Sequence, residues 1–145
     1  MIARAPASAV RPRGKTDRVF LDANVLFSAA YRAGSALERL WEATNVTLLS
    51  SAYAIEEANR NLEERDARTR LQTLVAALQL VPDVAGGDLP TGVILPEKDL
   101  PILFAAVAAE ATHLLTGDRA HFGRYFGRRI AGVLIQRPGD YLAAR

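Results

Sequence analysis

Four carboxylates, Asp22, Glu57, Asp99 and Asp118, stand where chain geometry could gather them. Asp22 closes the apolar run Val19-Phe20-Leu21, and Asp118 follows Leu114-Leu115-Thr116-Gly117. Short apolar runs of this kind read as buried strands, and in open parallel sheets the ligand crevice lies beyond the strands' carboxyl ends. If the two strands are parallel neighbours, both acids face that crevice. Asp99 opens the helical pattern that leads into the second strand, and Glu57 lies on the helix after Ser51. Clustered carboxylates repel, and burial raises their pKa values unless a cation neutralises them. An all-oxygen set suits a hard divalent ion, Mg²⁺ or Mn²⁺. Such an ion, or a pair about 3.5–4 Å apart, acidifies water and stabilises charge developing on a phosphodiester, which is the chemistry of metal-dependent phosphoryl transfer. Asp22 and Asp99 also have a plainer use as helix caps, although Ser or Thr would serve a cap equally well.

The elements that must position these acids follow from periodicity and punctuation. A strand ends at Leu21, and Val25–Tyr31 continues as a short helix stopped near Gly34. Ser35-Ala36-Leu37-Glu38 is a capping box opening a helix through Leu40, Trp41 and Ala43. Val46–Leu49 reads as a second strand, and Ser50 or Ser51 caps a helix from Ala52 to about Glu64. Asp66 is placed to cap a further helix whose Leu71, Leu74, Val75 and Leu78 form an apolar stripe. Leu80-Val81-Pro82 is a short strand near an edge, because proline cannot donate a ladder hydrogen bond. The Gly- and Pro-rich stretch 85–98 is a surface loop, Asp99-Leu100-Pro101 starts a helix running to Ala111, and Thr112–Thr116 is a strand. Ile130–Ile135 reads as the last strand and 138–145 as a tail. Strands alternating with helices predict an α/β fold with a mostly parallel central sheet.

The 145 residues suffice for one domain that buries about two-thirds of its chain surface. The chain has no cysteine, which excludes disulfides, a thiolate nucleophile and a cysteine zinc site. A net charge of +2 and a pI near 9.3 permit nucleic-acid binding without demanding it. Residues 1–17, rich in Ala, Arg and Pro, read as a mobile basic N-terminal arm, with the folded domain spanning 18–145. Pro6, Arg11 and Pro12 interrupt any secretory hydrophobic core, and no apolar run approaches the roughly 20 residues of a membrane span. A soluble cytoplasmic protein with no membrane contact is the expectation.

Four segments together carry a resemblance. Val19-Phe20-Leu21-Asp22-Ala23-Asn24-Val25-Leu26, Glu56-Glu57-Ala58-Asn59-Arg60-Asn61-Leu62, Asp99-Leu100-Pro101-Ile102-Leu103 and Leu115-Thr116-Gly117-Asp118-Arg119-Ala120-His121-Phe122 resemble, in this order, the PIN-domain ribonucleases. That family includes the VapC-like toxin halves of toxin–antitoxin pairs. The resemblance implies a three-layer α/β/α sandwich, Mg²⁺- or Mn²⁺-dependent cleavage of RNA, and inhibition by a cognate antitoxin. It implies that Asp22, Glu57, Asp99 and Asp118 are the metal-binding and catalytic acids. Glu57 matches better than its neighbour Glu56, because it precedes the hydrophobic-x-Arg-x-Leu pattern. Asn24 and Thr116 would orient the carboxylates. His121 has no required part, since metal-bound acids already activate water, and His113 reads as a packed strand residue. The apolar stripes could also bury a homodimer or an antitoxin segment.

Two other readings remain open at this level. A phosphatase of the haloacid-dehalogenase type also places an Asp at its first strand end, but it wants a second Asp two residues on, where this chain has Asn24. A non-catalytic PIN-like or receiver-like interaction module would keep the fold and use the acids as caps or weak metal ligands.

Overall fold

The computed structural model describes residues 16–145. The basic arm expected over residues 1–17 lies outside the described residues as far as position 15, and Asp17 already belongs to the first strand. Six strands form one sheet: β1 (Asp17–Leu21), β2 (Val46–Ser51), β3 (Gln79–Val81), β4 (His113–Leu115), β5 (Arg129–Ile130) and β6 (Val133–Gln136). Their order is β3-β2-β1-β4-β6-β5, parallel throughout except for the β5–β6 pair. The helices are α1 (Ala23–Tyr31), α2 (Ala52–Asn61), α3 (Arg65–Ala76), α4 (Leu100–Ala108), α5 (Arg119–Phe122) and α6 (Pro138–Ala143).

From β1 the sheet grows through β2 to the edge strand β3, and the chain then crosses back past β1 by way of α4 to lay down β4. Right-handed crossovers that run in opposite directions put their helices on opposite faces of a sheet. α1 packs against α2 and α3, whereas α4 lies against β2 and β4, and the result is the three-layer sandwich. β1 is interior in the sheet and covered on both faces, so Val19, Phe20 and Leu21 are fully buried and its apolar residues run on without alternation. Phe20 stands opposite Leu49 of β2 and Leu114 of β4, forming one apolar row across the sheet. Phe122, immediately after His121, is also fully buried and anchors the short α5.

Several elements depart from the sequence expectations. Ser35 and Glu38 do form the capping box, but Ala36–Glu42 winds as a 3₁₀ helix. Its apolar positions Leu37 and Leu40 are three apart, the spacing that a 3₁₀ turn aligns on one edge. α2 stops at Asn61, with Leu62 extended and buried, so the helix does not reach Glu64. Glu64 rather than Asp66 occupies the N-cap of α3, without a side-chain bond, and Asp66 sits in the first turn facing the helix dipole's positive end. The stretch expected as one last strand is a hairpin: Ala131 (φ 49°) and Gly132 (φ 88°) turn the chain between β5 and β6. Two consecutive positive φ values are the signature of a two-residue turn that matches strand twist. The expected tail contains α6, whose Tyr141 hydroxyl donates to Asp17 Oδ2 at 2.6 Å and ties the C-terminus to the start of β1.

Candidate active site

β1 and β4 are parallel neighbours in register, Leu21 opposite Leu115, and their onward connections leave in opposite directions. That arrangement is a topological switch point, where a crevice opens beyond the strand ends. The next residues, Asp22 and Thr116, stand side by side. Asp22 N donates to Leu115 O at 3.1 Å, and Thr116 Oγ1 donates to Asp22 Oδ2 at 2.9 Å.

Asp22 is 5% exposed. Its Oδ1 accepts from Ala23 N at 2.7 Å, so it does cap α1, and its Oδ2 also accepts from Asn24 Nδ2 at 3.1 Å. Asn24 then reaches across the crevice, donating to Thr116 Oγ1 at 3.1 Å while its Oδ1 accepts from Gly117 N at 2.7 Å. Thr116 Oγ1 accepts a further bond from Asp118 N at 3.1 Å. One hydroxyl proton and both lone pairs of Thr116 are thereby used, which fixes its rotor and, through it, the Asp22 carboxylate and the backbone of Asp118. A Cβ at Gly117 would meet Asn24 Oδ1 at 3.4 Å, in van der Waals contact with the side chain that bridges the crevice.

Asp118 begins α5, its Oδ1 accepting from His121 N at 3.1 Å. Asp99 stands at the end of a 3₁₀ turn, Glu97–Asp99, that leads into α4. Its φ of −94° and ψ of −13° are helical rather than the extended backbone of an N-cap, so its side chain makes no capping bond and is turned elsewhere. The loop before it is held by Tyr125, whose hydroxyl donates to Ile94 O at 3.0 Å and accepts from Ile94 N at 2.7 Å. Tyr53 of α2 also donates to Lys98 O at 2.7 Å. Asp99 Oδ2 and Asp118 Oδ2 each lie 2.8 Å from His121 Nδ1. Among the described residues, Asp99, Asp118 and His121 are the metal-capable group whose ligand atoms all fall within 4.8 Å of one another. Asp22 and Glu57 stand outside that group.

The electrostatics join them to it. Burial raises the Asp22 carboxyl to about 6 against the lowering effect of the Thr116 and Ala23 hydrogen bonds, and the charges of Asp99 and Glu57 raise it further. Burial likewise raises Asp99, offset by His121 and reinforced by Asp118 and Glu57. Glu57 is half-buried on α2 and its charge reaches Asp22, Asp99 and the Tyr53 hydroxyl, whereas Glu56 is exposed and figures at none of them. Among the described residues no Lys or Arg forms an ion pair with any of these four acids. His121, to which the sequence reading gave no required part, is the one basic group in contact. Its signal was its spacing, three residues after Asp118 in the first turn of α5, which puts both side chains on one face. His113 is elsewhere, edge-on to Tyr141 at the start of β4 with ring centroids 4.9 Å apart, and burial lowers its pKa.

The PIN domain family matches residues 18–120, a span that holds all four acids and stops one residue before His121. Among solved structures, a chain of VapBC2 from Rickettsia felis, crystallised bound to a DNA fragment from their promoter, superposes with a TM-score of 0.60 at 20% identity. The overlap covers 83% of this chain and 98% of that one, and at such identity the likeness is one of fold. No match was found among curated proteins. With the family matched over most of its length and the switch point of its sheet lined by the matched acids, the chain belongs to the PIN-domain family.

Proposed function

We propose that the protein is a metal-dependent endoribonuclease that hydrolyses RNA phosphodiesters at the β1/β4 crevice, with Asp22, Glu57, Asp99 and Asp118 as its acids. The observation that carries this reading is a group of buried acids that no Lys or Arg pairs. Asp22 and Asp99 are at most 9% exposed, and no Lys or Arg among the described residues forms an ion pair with them. The donors fit Mg²⁺ or Mn²⁺, since they are carboxylate oxygens and one of them, Asp99 Oδ2, is buried with no hydrogen-bond partner. When bound, such an ion would offset charge on the phosphodiester and lower the pKa of water. The chain's own residues supply position. Thr116 and Asn24 hold Asp22 in one orientation, the first turn of α5 holds Asp118, and the Tyr53 and Tyr125 bonds hold the segment bearing Asp99. Asn24 donates to Asp22 and has no proton to give as a general acid, which speaks against the phosphatase reading.

Exposed Arg124 and Arg128, which follow β4 in the chain, suit a polyanionic substrate. The likeness to a VapBC2 chain, with the resemblance to VapC-like toxins, supports a role as the toxin of a toxin–antitoxin pair, with an antitoxin partner and a homodimer. Tyr31 and Leu80, at least half exposed, are apolar surface that such partners would cover. A cytoplasmic location suits this role, and no helix among the described residues is long and apolar enough to cross a membrane.

The test is the chemistry of the product ends. Single-stranded and structured RNAs incubated with the purified protein and Mn²⁺ should yield fragments with 5′-phosphate and 3′-hydroxyl termini, and chelator should abolish them. Fragments ending in a 2′,3′-cyclic phosphate, or cutting that survives chelation, would overturn attack by water at a metal site.

A further inference from the structure

His121 Nδ1 lies 2.8 Å from Asp99 Oδ2 and 2.8 Å from Asp118 Oδ2. Contacts that short would ordinarily be hydrogen bonds, yet Nδ1 and Asp99 Oδ2 are both buried and neither has a hydrogen-bond partner of acceptable direction. A single ring N–H could in any case point at only one of the two oxygens. If Nδ1 carries no proton, three lone pairs converge on one point, an arrangement that is repulsive until a cation occupies it. Ligand atoms bonded to one ion at about 2.1 Å and at right angles are about 3 Å apart, close to the spacing seen on both edges. The burial of Asp99, 9% exposed with an orphaned oxygen aimed at the ring, sets this cluster apart from a surface group of acids.

We propose that His121 is a metal ligand through Nδ1, so that Asp99, Asp118 and His121 form a mixed oxygen–nitrogen site that selects Mn²⁺ over Mg²⁺. An imidazole nitrogen favours first-row transition ions, whereas Mg²⁺ demands oxygen donors and keeps its waters. The proposal rests on the reading of the crevice as a metal site and adds a ligand outside the matched family span. It also explains the side-chain order in α5, where Asp118 caps through Oδ1 and leaves Oδ2 turned toward the ring.

The experiment is electron spin-echo envelope modulation of Mn²⁺ bound to the full chain after removal of any affinity tag. The chain contains two histidines, so the assignment is direct. Wild type should show ¹⁴N modulation, His113→Gln should keep it, and His121→Gln should lose it while weakening Mn²⁺ binding by at least about tenfold and Mg²⁺ binding far less. Labelling wild type with ¹⁵N-histidine should remove the ¹⁴N signal, a readout that does not depend on the variant folding. Bound Mn²⁺ without histidine modulation, or modulation that persists in His121→Gln, would overturn the ligand assignment and leave the carboxylate site standing. Failure of wild type to bind Mn²⁺ at all would overturn the metal reading of the crevice, and the ligand assignment with it.

Discussion

Asp22 concentrates the conflict between stability and function in a single side chain. Its carboxyl titrates near 6 in the folded state because burial and the charges of Asp99 and Glu57 oppose ionisation, against 3.8 in the open chain. Between those values the native state holds a proton that the unfolded chain has released, so stability falls as pH rises through this window, and the full penalty is present above it. The shift corresponds to about 3 kcal/mol at neutral pH. Chelator-treated wild type should therefore melt at a lower temperature at about pH 7.5 than at about pH 5. Asp22→Asn should raise the melting temperature at the higher pH and flatten that difference; an unchanged pH dependence would show that Asp22 is ionised without strain. At this scale the sequence was informative where an acid ended an apolar run, as at Asp22 and Asp118, and where Asn24 and Thr116 flanked them. Asp99 was ambiguous with a helix cap, and its helical backbone decides against a capping bond. His121 was given no required part because its meaning depends on Asp99, 22 positions earlier in the chain, reaching the same point.

The hairpin between β5 and β6 shows what periodicity misses among the elements. Ile130-Ala131-Gly132-Val133 is an unbroken apolar and small run, so it reads as strand, yet both central residues take positive φ. Only Gly132 hinted at the turn. Ala131 at φ 49° carries a Cβ in the left-handed region, which is strained for an L-residue. Ala131→Gly should therefore stabilise the protein by about 0.5–1 kcal/mol, measured by urea denaturation, because relief of that strain exceeds the added freedom of the unfolded chain. Destabilisation would mean that the methyl of the exposed Ala131 contributes packing that outweighs the strain. The other misread elements have similar causes. The capping box at Ser35 was legible, but a two-turn segment with apolar residues three apart winds as 3₁₀. α6 was missed because Pro138 and Gly139 punctuate its start, although proline in a first helical turn is well tolerated.

For the whole molecule, the reversal of winding direction between β1 and β4 is the feature from which the site follows. Sequence alone predicted an α/β fold with a mostly parallel sheet, because apolar runs alternate with helical patterns, and the family resemblance implied the three-layer sandwich. It left strand order conditional, and the convergence of Asp22 with Asp118 depended on that order. With the strands adjacent, the Thr116–Asn24 bonds and the buried acids belong to one end of the sheet. The decisive comparison is RNA cleavage by wild type and Asp22→Asn, side by side, in Mn²⁺, in Mg²⁺ and in excess chelator. Cutting by wild type only when metal is present, reduced at least about a hundredfold in a folded Asp22→Asn protein, is the expected result. Equal cutting by both proteins, or none by wild type with either ion, would contradict a metal-dependent nuclease at this crevice.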